Sequence, residues 1–210
     1  MDLSIYAQEY HHSLSVIENC NQLLKRVNKE KTLDHVVKVS KTGLEIASNY
    51  DLDKNKIEIA CYLHDISAII PEKDYIKLCE ANNIEVLDVE RKLPMLLHQK
   101  LSRLIAEEIF NIEDEEILRA IEWHTTLKAK PFEIQMAVFV ADKLSWDQDG
   151  VPPFFNCVSE GLKESLETAC FEYISYCLNN DMIRLPHPML MEAKNYLEEA
   201  LKNEKVNDID

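Results

Sequence analysis

Glycine is almost missing from this chain: Gly43, Gly150 and Gly161 are the three in 210 residues. That scarcity excludes the glycine-rich loops with which P-loop and dinucleotide-binding folds cradle phosphate. It also disfavours a turn-rich β-protein, which needs many left-handed backbone positions. Long apolar runs are missing too. Nothing approaches the roughly 18 consecutive apolar residues of a membrane-spanning helix, and no basic segment followed by an apolar one marks a secretory signal. The six cysteines (Cys20, Cys61, Cys79, Cys157, Cys170, Cys177) are scattered with no C-x-x-C pair. They read as reduced thiols of a cytoplasmic protein, mostly filling the core, rather than as disulfides or a structural zinc site. Positive charge is in deficit, 23 basic residues against 38 acidic ones, for a net charge of −15. A nucleic-acid partner held by counterion release calls for the opposite balance. A small phosphorylated substrate fits only if metal ions provide the missing positive charge.

What remains is helical. Hydrophobic residues make up 46% of the chain, enough for one sizeable core. Apolar positions recur at helical spacing in 33–47 (Leu33, Val36, Val37, Leu44, Ala47), with Thr32 as N-cap. The same spacing runs through 57–64 (Ile57, Ala60, Cys61, His64), 95–110 (Leu97, Leu101, Leu104, Ile105) and 113–124 (Ile117, Ala120, Ile121, His124). Segment 132–146 is apolar nearly all round and reads as a buried central helix. Segments 2–29, 73–82, 157–179 and 188–202 also look helical, and no hairpin signal separates alternating strands. The expectation is a single all-α bundle over 30–202. A helical extension, 1–29, lies outside it, and a frayed acidic tail follows over 203–210.

Four histidines and two aspartates fall at chosen places in this pattern. His64 and Asp65 close an apolar stretch (Ile-Glu-Ile-Ala-Cys-Tyr-Leu-His-Asp). Adjacent side chains face the same way only where a helix ends or loosens. His98 and His124 each sit on an apolar stripe near a helix end, and His35 lies one residue off another. Taken singly, such histidines are more often hydrogen-bonded core residues. Asp142 is different, because a carboxylate inside a nearly all-apolar helix calls for a cation or several donors. Lys143 points about 100° away from it on a helix and is not expected to be its partner. Together, His35, His64, Asp65, His98, His124 and Asp142 suit one or two borderline divalent ions. Such a set lowers the pKa of bound water and clamps phosphoryl oxygens.

The order His35, His64-Asp65, Asp142 resembles the HD superfamily of metal-dependent phosphohydrolases, an all-α helical bundle. The additional pair His98 and His124 resembles its binuclear branch, and within that the YqeK-type symmetrical dinucleoside tetraphosphatases. Leu33-Asp-His-Val36, Ala60-Cys-Tyr-Leu-His-Asp65, Leu97-His98, Trp123-His-Thr-Thr126, Val140-Ala-Asp-Lys143 and His187-Pro188 carry the likeness, over roughly 30–200. It implies one metal on His35, His64, Asp65 and Asp142 and a second on His98 and His124, with Asp65 bridging and catalytic. It also implies iron as the first metal, with Mn, Co, Zn and Ni as others. A metal-activated hydroxide would split diadenosine tetraphosphate into two ADP. Lys143, Thr125, Trp146 and His187 are the candidate substrate contacts, and a homodimer is compatible.

The chain departs from that pattern where phosphate-binding cations are usual. Ala68 replaces a lysine three residues after Asp65, and Gln148 stands where an arginine is usual. Gln99-Lys-Leu-Ser-Arg103 replaces a glycine-rich stretch. Two alternatives therefore stay open: the same site acting on another nucleotide or phosphoester, and a non-catalytic nucleotide- or metal-sensing module.

Overall fold

The computed structural model describes residues 10–146 and 148–207, together with Leu3 and Ile5. Every regular element among them is helical. They are α1 (Val16–Arg26), α2 (Glu30–Asn49), α3 (Lys54–Leu63), α4 (Tyr75–Ala81), α5 (Asp88–Lys92), α6 (His98–Glu108), α7 (Glu115–Glu122), α8 (Glu133–Leu144), α9 (Phe155–Glu164), α10 (Leu166–Asn179) and α11 (Pro188–Asn207). Short 3₁₀ turns cover Ile66–Ile69, Glu72–Asp74 and Pro94–Leu97.

Helix α8 is the axis of the bundle. All residues from Ile134 to Ala141 are buried, because α2, α3, α7 and α10 pack around it. Phe139 is the largest fully buried side chain. The partners lean in closely where side chains are small. A Cβ on Gly43 would lie 2.8 Å from Cys61 Sγ and 2.9 Å from Ile57 Cγ2, so the α2–α3 crossing needs glycine for space.

Local signals set the element ends. Ser15 and Glu18 form a reciprocal capping box that starts α1. Asp53 and Asp114 accept amide hydrogens at the first turns of α3 and α7.

Several expectations change. Helix α2 begins at Glu30, behind Asn28 with φ +57°, so Thr32 lies inside the first turn rather than at the cap. Val37 faces outward, and Ile46 takes the inward position. Segment 157–179 is two helices, since Ser165 adopts extended backbone and caps α10 by accepting from the Thr168 amide. At the C-terminal side, α11 runs through Asn207, beyond the expected fraying point, and 208–210 lie outside the described residues. Of the continuous helix expected over 2–29, 16–26 is helical and 12–14 forms turns and a bend, while 2, 4 and 6–9 lie outside the described residues. The boundary expected at 29/30 has no counterpart in the packing. Cys20, Leu23 and Leu24 of α1 belong to the common core, and Cys20 Sγ donates to Tyr62 O on α3 at 3.2 Å.

Candidate metal centre

His64 is the C-cap of α3, and Asp65 (φ −110°, ψ 17°) stands between that helix and the following 3₁₀ turn. This loosening breaks the 100° step that separates neighbours on a regular helix, and both side chains turn toward α2, α6 and α8. His35 comes from the second turn of α2, His98 opens α6, His124 follows the end of α7, and Asp142 lies in the last turn of α8.

The six side chains converge around Asp65. Its Oδ2 lies 3.6 Å from His64 Nε2 and 3.9 Å from His35 Nε2. Its Oδ1 lies 3.6 Å from His98 Nε2 and 3.5 Å from His124 Nε2. Asp142 Oδ1 completes the first group, 3.0 Å from His35 Nε2 and 3.6 Å from His64 Nε2. One carboxylate thus turns one oxygen to each of two clusters, His35–His64–Asp142 and His98–His124.

Three of the rings are fixed from behind. His64, His98 and His124 each donate Nδ1–H to the carbonyl three residues earlier: Cys61 O at 2.7 Å, Met95 O at 2.6 Å and Ile121 O at 2.8 Å. In the neutral rings this leaves Nε2 as a lone pair aimed into the cluster.

That donor set fits divalent metal. His64 Nε2 is fully buried with no hydrogen-bond partner, and the carboxylate oxygens at 3.6 Å stand too far off to supply one. His98 Nε2 and His124 Nε2 face each other at 2.9 Å with both Nδ1 positions already committed, so two lone pairs repel unless a cation lies between them. Imidazole and carboxylate together suit Fe, Mn, Co, Ni or Zn.

The electrostatics agree. Burial opposes the ionisation of Asp65, but His64, His124 and His98 hold its carboxyl well below the usual carboxylate range. Burial likewise opposes charge on Asp142, and Lys143, His35 and His64 outweigh it. His64, which burial alone would keep neutral, is raised to about 9 by Asp65 and Asp142. Burial lowers His124 to about 4, with Asp65 opposing and His64 and His98 reinforcing.

Lys143 is Asp142's partner after all. Its Nζ donates to Asp142 Oδ2 at 2.6 Å and to His124 O at 3.1 Å, lying over the Phe139 and Tyr173 rings. The long flexible stem folds back across the 100° that separates the two Cα–Cβ directions. Thr125 Oγ1 lies 3.0 Å from His98 Nε2, at the cluster's edge. Trp146 lines an opening of about 230 Å³ with His35, Asp65, Asp142 and Tyr173. Phe154 is buried edge-on against Trp146 and Tyr173, as part of the loop's packing. His187 lies elsewhere. It accepts the Met189 amide at the start of α11 and faces buried Glu90 at 3.4 Å, and Glu90 is paired with Lys100 at 2.8 Å.

Two features escaped the sequence. Gln99, fully buried beside His98, accepts from the Thr125 and Thr126 amides through Oε1 and donates to Thr126 Oγ1. Its position next to His98 was visible, but its target 26 residues on was not. Two further openings reach Asp65. One, of about 260 Å³, is walled by Ala68, Glu72, Tyr75 and Met95; the other, of about 360 Å³, by Lys31, Thr32, Asp34 and Lys38.

A helical bundle that gathers His, His-Asp and Asp at one centre defines a metal-dependent phosphohydrolase. The chain belongs to the HD domain family, whose profile matches residues 10–147. It is 40% identical, over 73% of its length and 78% of the relative's, to an uncharacterized protein encoded in the pepC 5' region of Lactococcus lactis subsp. cremoris. It is 30% identical to a symmetrical bis(5'-nucleosyl)-tetraphosphatase of Staphylococcus aureus, over 60% of this chain and 64% of that one. To a relative of the same description from Bacillus subtilis it is 26% identical, over 51% and 58%. The chain thus spans a little under two thirds of these tetraphosphatases. Its fold matches a crystal structure described as a "predicted HD superfamily hydrolase involved in NAD metabolism" from Clostridium acetobutylicum, with a TM-score of 0.79 and 24% identity over 87% of this chain and 97% of that one. No helix among the described residues is long and apolar enough to cross a membrane.

Proposed function

We propose that this protein hydrolyses a phosphoanhydride of a nucleotide, with a dinucleoside tetraphosphate as substrate and two nucleoside diphosphates as products. In this reading His35, His64, Asp65 and Asp142 hold one divalent metal, iron being the first to test. His98 and His124 hold a second with the other oxygen of Asp65. The observation that carries the reading is the split of the Asp65 carboxylate, Oδ2 toward one cluster and Oδ1 toward the other. Bound metals supply Lewis acidity toward phosphoryl oxygens and lower the pKa of water. The chain's own contribution is orientation. The carbonyls of Cys61, Met95 and Ile121 fix the rings, Lys143 neutralises and steers Asp142, and Gln99 holds the Thr125–Thr126 backbone in register with His98. Thr125 and Trp146, at the rim, are the candidate contacts to substrate.

A second reading keeps the centre and changes the substrate. It rests on Ala68, a small neutral side chain in the opening where the resemblance leads one to expect a lysine.

The experiment is the metal content of protein purified without added metal, together with product analysis over a nucleotide panel. Selective release of ADP from diadenosine tetraphosphate supports the first reading, and faster turnover of another nucleotide supports the second. Full activity in the His64→Ala, Asp65→Ala double variant would overturn both.

A further inference from the structure

Three openings meet at Asp65, and they differ in charge. The one beside Ala68 carries Glu72 and neither lysine nor arginine. The one beside Trp146 has a single cation, Lys143, already committed to Asp142 and the His124 carbonyl. The largest, about 360 Å³, is lined by Lys31, Thr32, Asp34, His35, Lys38 and Asp65. On α2, Lys31 precedes His35 by four residues and Lys38 follows it by three. Both lysines therefore share the helical face of that ligand. Neither has an ion-pair partner among the described residues, whereas Lys56, Lys100 and Arg103 are all paired. Lys31 and Thr32 also lie in the first turn of α2, whose N-terminus no side chain caps.

This distribution matters in a chain of net charge −15. A polyphosphate approaching the centre is repelled by most of the surface, and anionic oxygens settle where unpaired cations wait. We propose that the Lys31–Lys38 cleft binds the phosphates of the substrate that extend beyond the metal ligands, with the two ammonium groups as their contacts. The positive charge missing at Ala68 is thereby supplied from another opening onto Asp65. The proposal rests on the phosphoanhydride reading above. It names the direction in which the phosphate chain leaves the centre and the two residues that receive it.

The test is calorimetric titration of inorganic tripolyphosphate into the protein as purified, comparing wild type with Lys31→Glu/Lys38→Glu. A second double variant of equal charge change, Lys77→Glu/Lys92→Glu, alters exposed lysines that lie outside the cleft. We expect the cleft variant to weaken binding by roughly tenfold or more and the control variant to leave it within about twofold, a tenfold loss being one decade in Kd. Lys31→Arg/Lys38→Arg should retain most of the affinity. Equal weakening in the cleft and control variants would overturn the proposal, as would unchanged affinity in the cleft variant or no tripolyphosphate binding by the wild type. Circular dichroism confirms that each variant is folded. Failure of the wild type to hydrolyse any nucleotide would sink the functional reading alone, because selective loss of tripolyphosphate affinity is scored without turnover.

Discussion

His98 and His124 meet through their Nε2 atoms at 2.9 Å, while their Nδ1 atoms are both engaged with main-chain carbonyls. Backbone hydrogen bonds therefore dictate which nitrogen each ring offers, and the pair is arranged for a cation rather than for each other. Replacing one ring should empty that half of the centre and spare the other. His124→Ala is expected to reduce metal content from two ions per chain to one, and Asp65→Ala to reduce it further, since both halves share that carboxylate. Elemental analysis of the purified variants measures this, and two ions retained in His124→Ala would contradict it.

Gln99 should act through the centre's geometry. Gln99→Leu keeps the volume but strands the buried Thr126 amide and the half-buried Thr125 amide, while the Thr126 hydroxyl keeps the Leu127 carbonyl. A buried unsatisfied group costs about 1–3 kcal/mol, so chemical denaturation should show a loss of that order or larger. The variant should also lose affinity for the second metal while keeping the first. Unchanged metal binding in Gln99→Leu would make Gln99 a stability residue alone.

Gly43→Ala places a methyl group under 3 Å from Cys61 and Ile57 at the α2–α3 crossing. Overpacking of this kind costs about 1–3 kcal/mol. The combination with Cys61→Ala, which removes the sulfur nearest the new methyl group, should recover part of the loss. Thermal melts of the single and double variants read the coupling.

The centre gathers opposed lone pairs and carboxylates that a cation satisfies, so metal removal should destabilise the fold as well as silence it. At a metal concentration about 100 times Kd, binding adds about 2.7 kcal/mol. For a chain of this size that corresponds to a fall in Tm of roughly 5–10 °C on chelation. Re-addition of the divalent ion should restore it. A Tm indifferent to chelator would count against a preformed metal centre.

Acid sensitivity should appear away from the centre, at Glu90. Burial opposes its ionisation, but His187, Lys100 and the Leu87 amide hold its carboxyl below the ordinary value of 4.5. A depressed folded-state pKa contributes stability that is present above the unfolded value and is lost as pH falls through the folded one. Glu90→Gln removes that contribution and leaves Lys100 buried without its anion, a loss of about 3–5 kcal/mol near neutrality. The difference in unfolding free energy between wild type and variant should shrink as pH drops below about 4. A difference that stays constant down to about pH 3 would rule out this role.

The helices were legible because apolar periodicity records which face is buried. His64 was legible because it prolongs the Ile57–Ala60–Cys61 stripe, and Asp142 because nothing else in its helix after Glu133 is charged before Lys143. Positions set by tertiary partners were not legible. Val37 and Ile46 swap sides because the α2 stripe is decided by how α8 crosses it. The break at Ser165 depends on an N-cap whose acceptor serves the next helix. Lys143 was misjudged because Cα–Cβ directions say little about where a four-carbon stem ends. Gln99's reach to Thr125 and Thr126, like the separate Glu90–Lys100–His187 network, joins segments that carry no mark of each other in sequence.

The Cys20 contact reaches further than its one weak bond. Its sulfur meets the carbonyl of Tyr62, two residues ahead of His64. The segment before residue 30 is thus the back wall of the helix whose end presents His64 and Asp65. Trimming the chain to the span that carries the recognisable motifs would leave His35, His64, His98 and His124 in place and remove what they lean on.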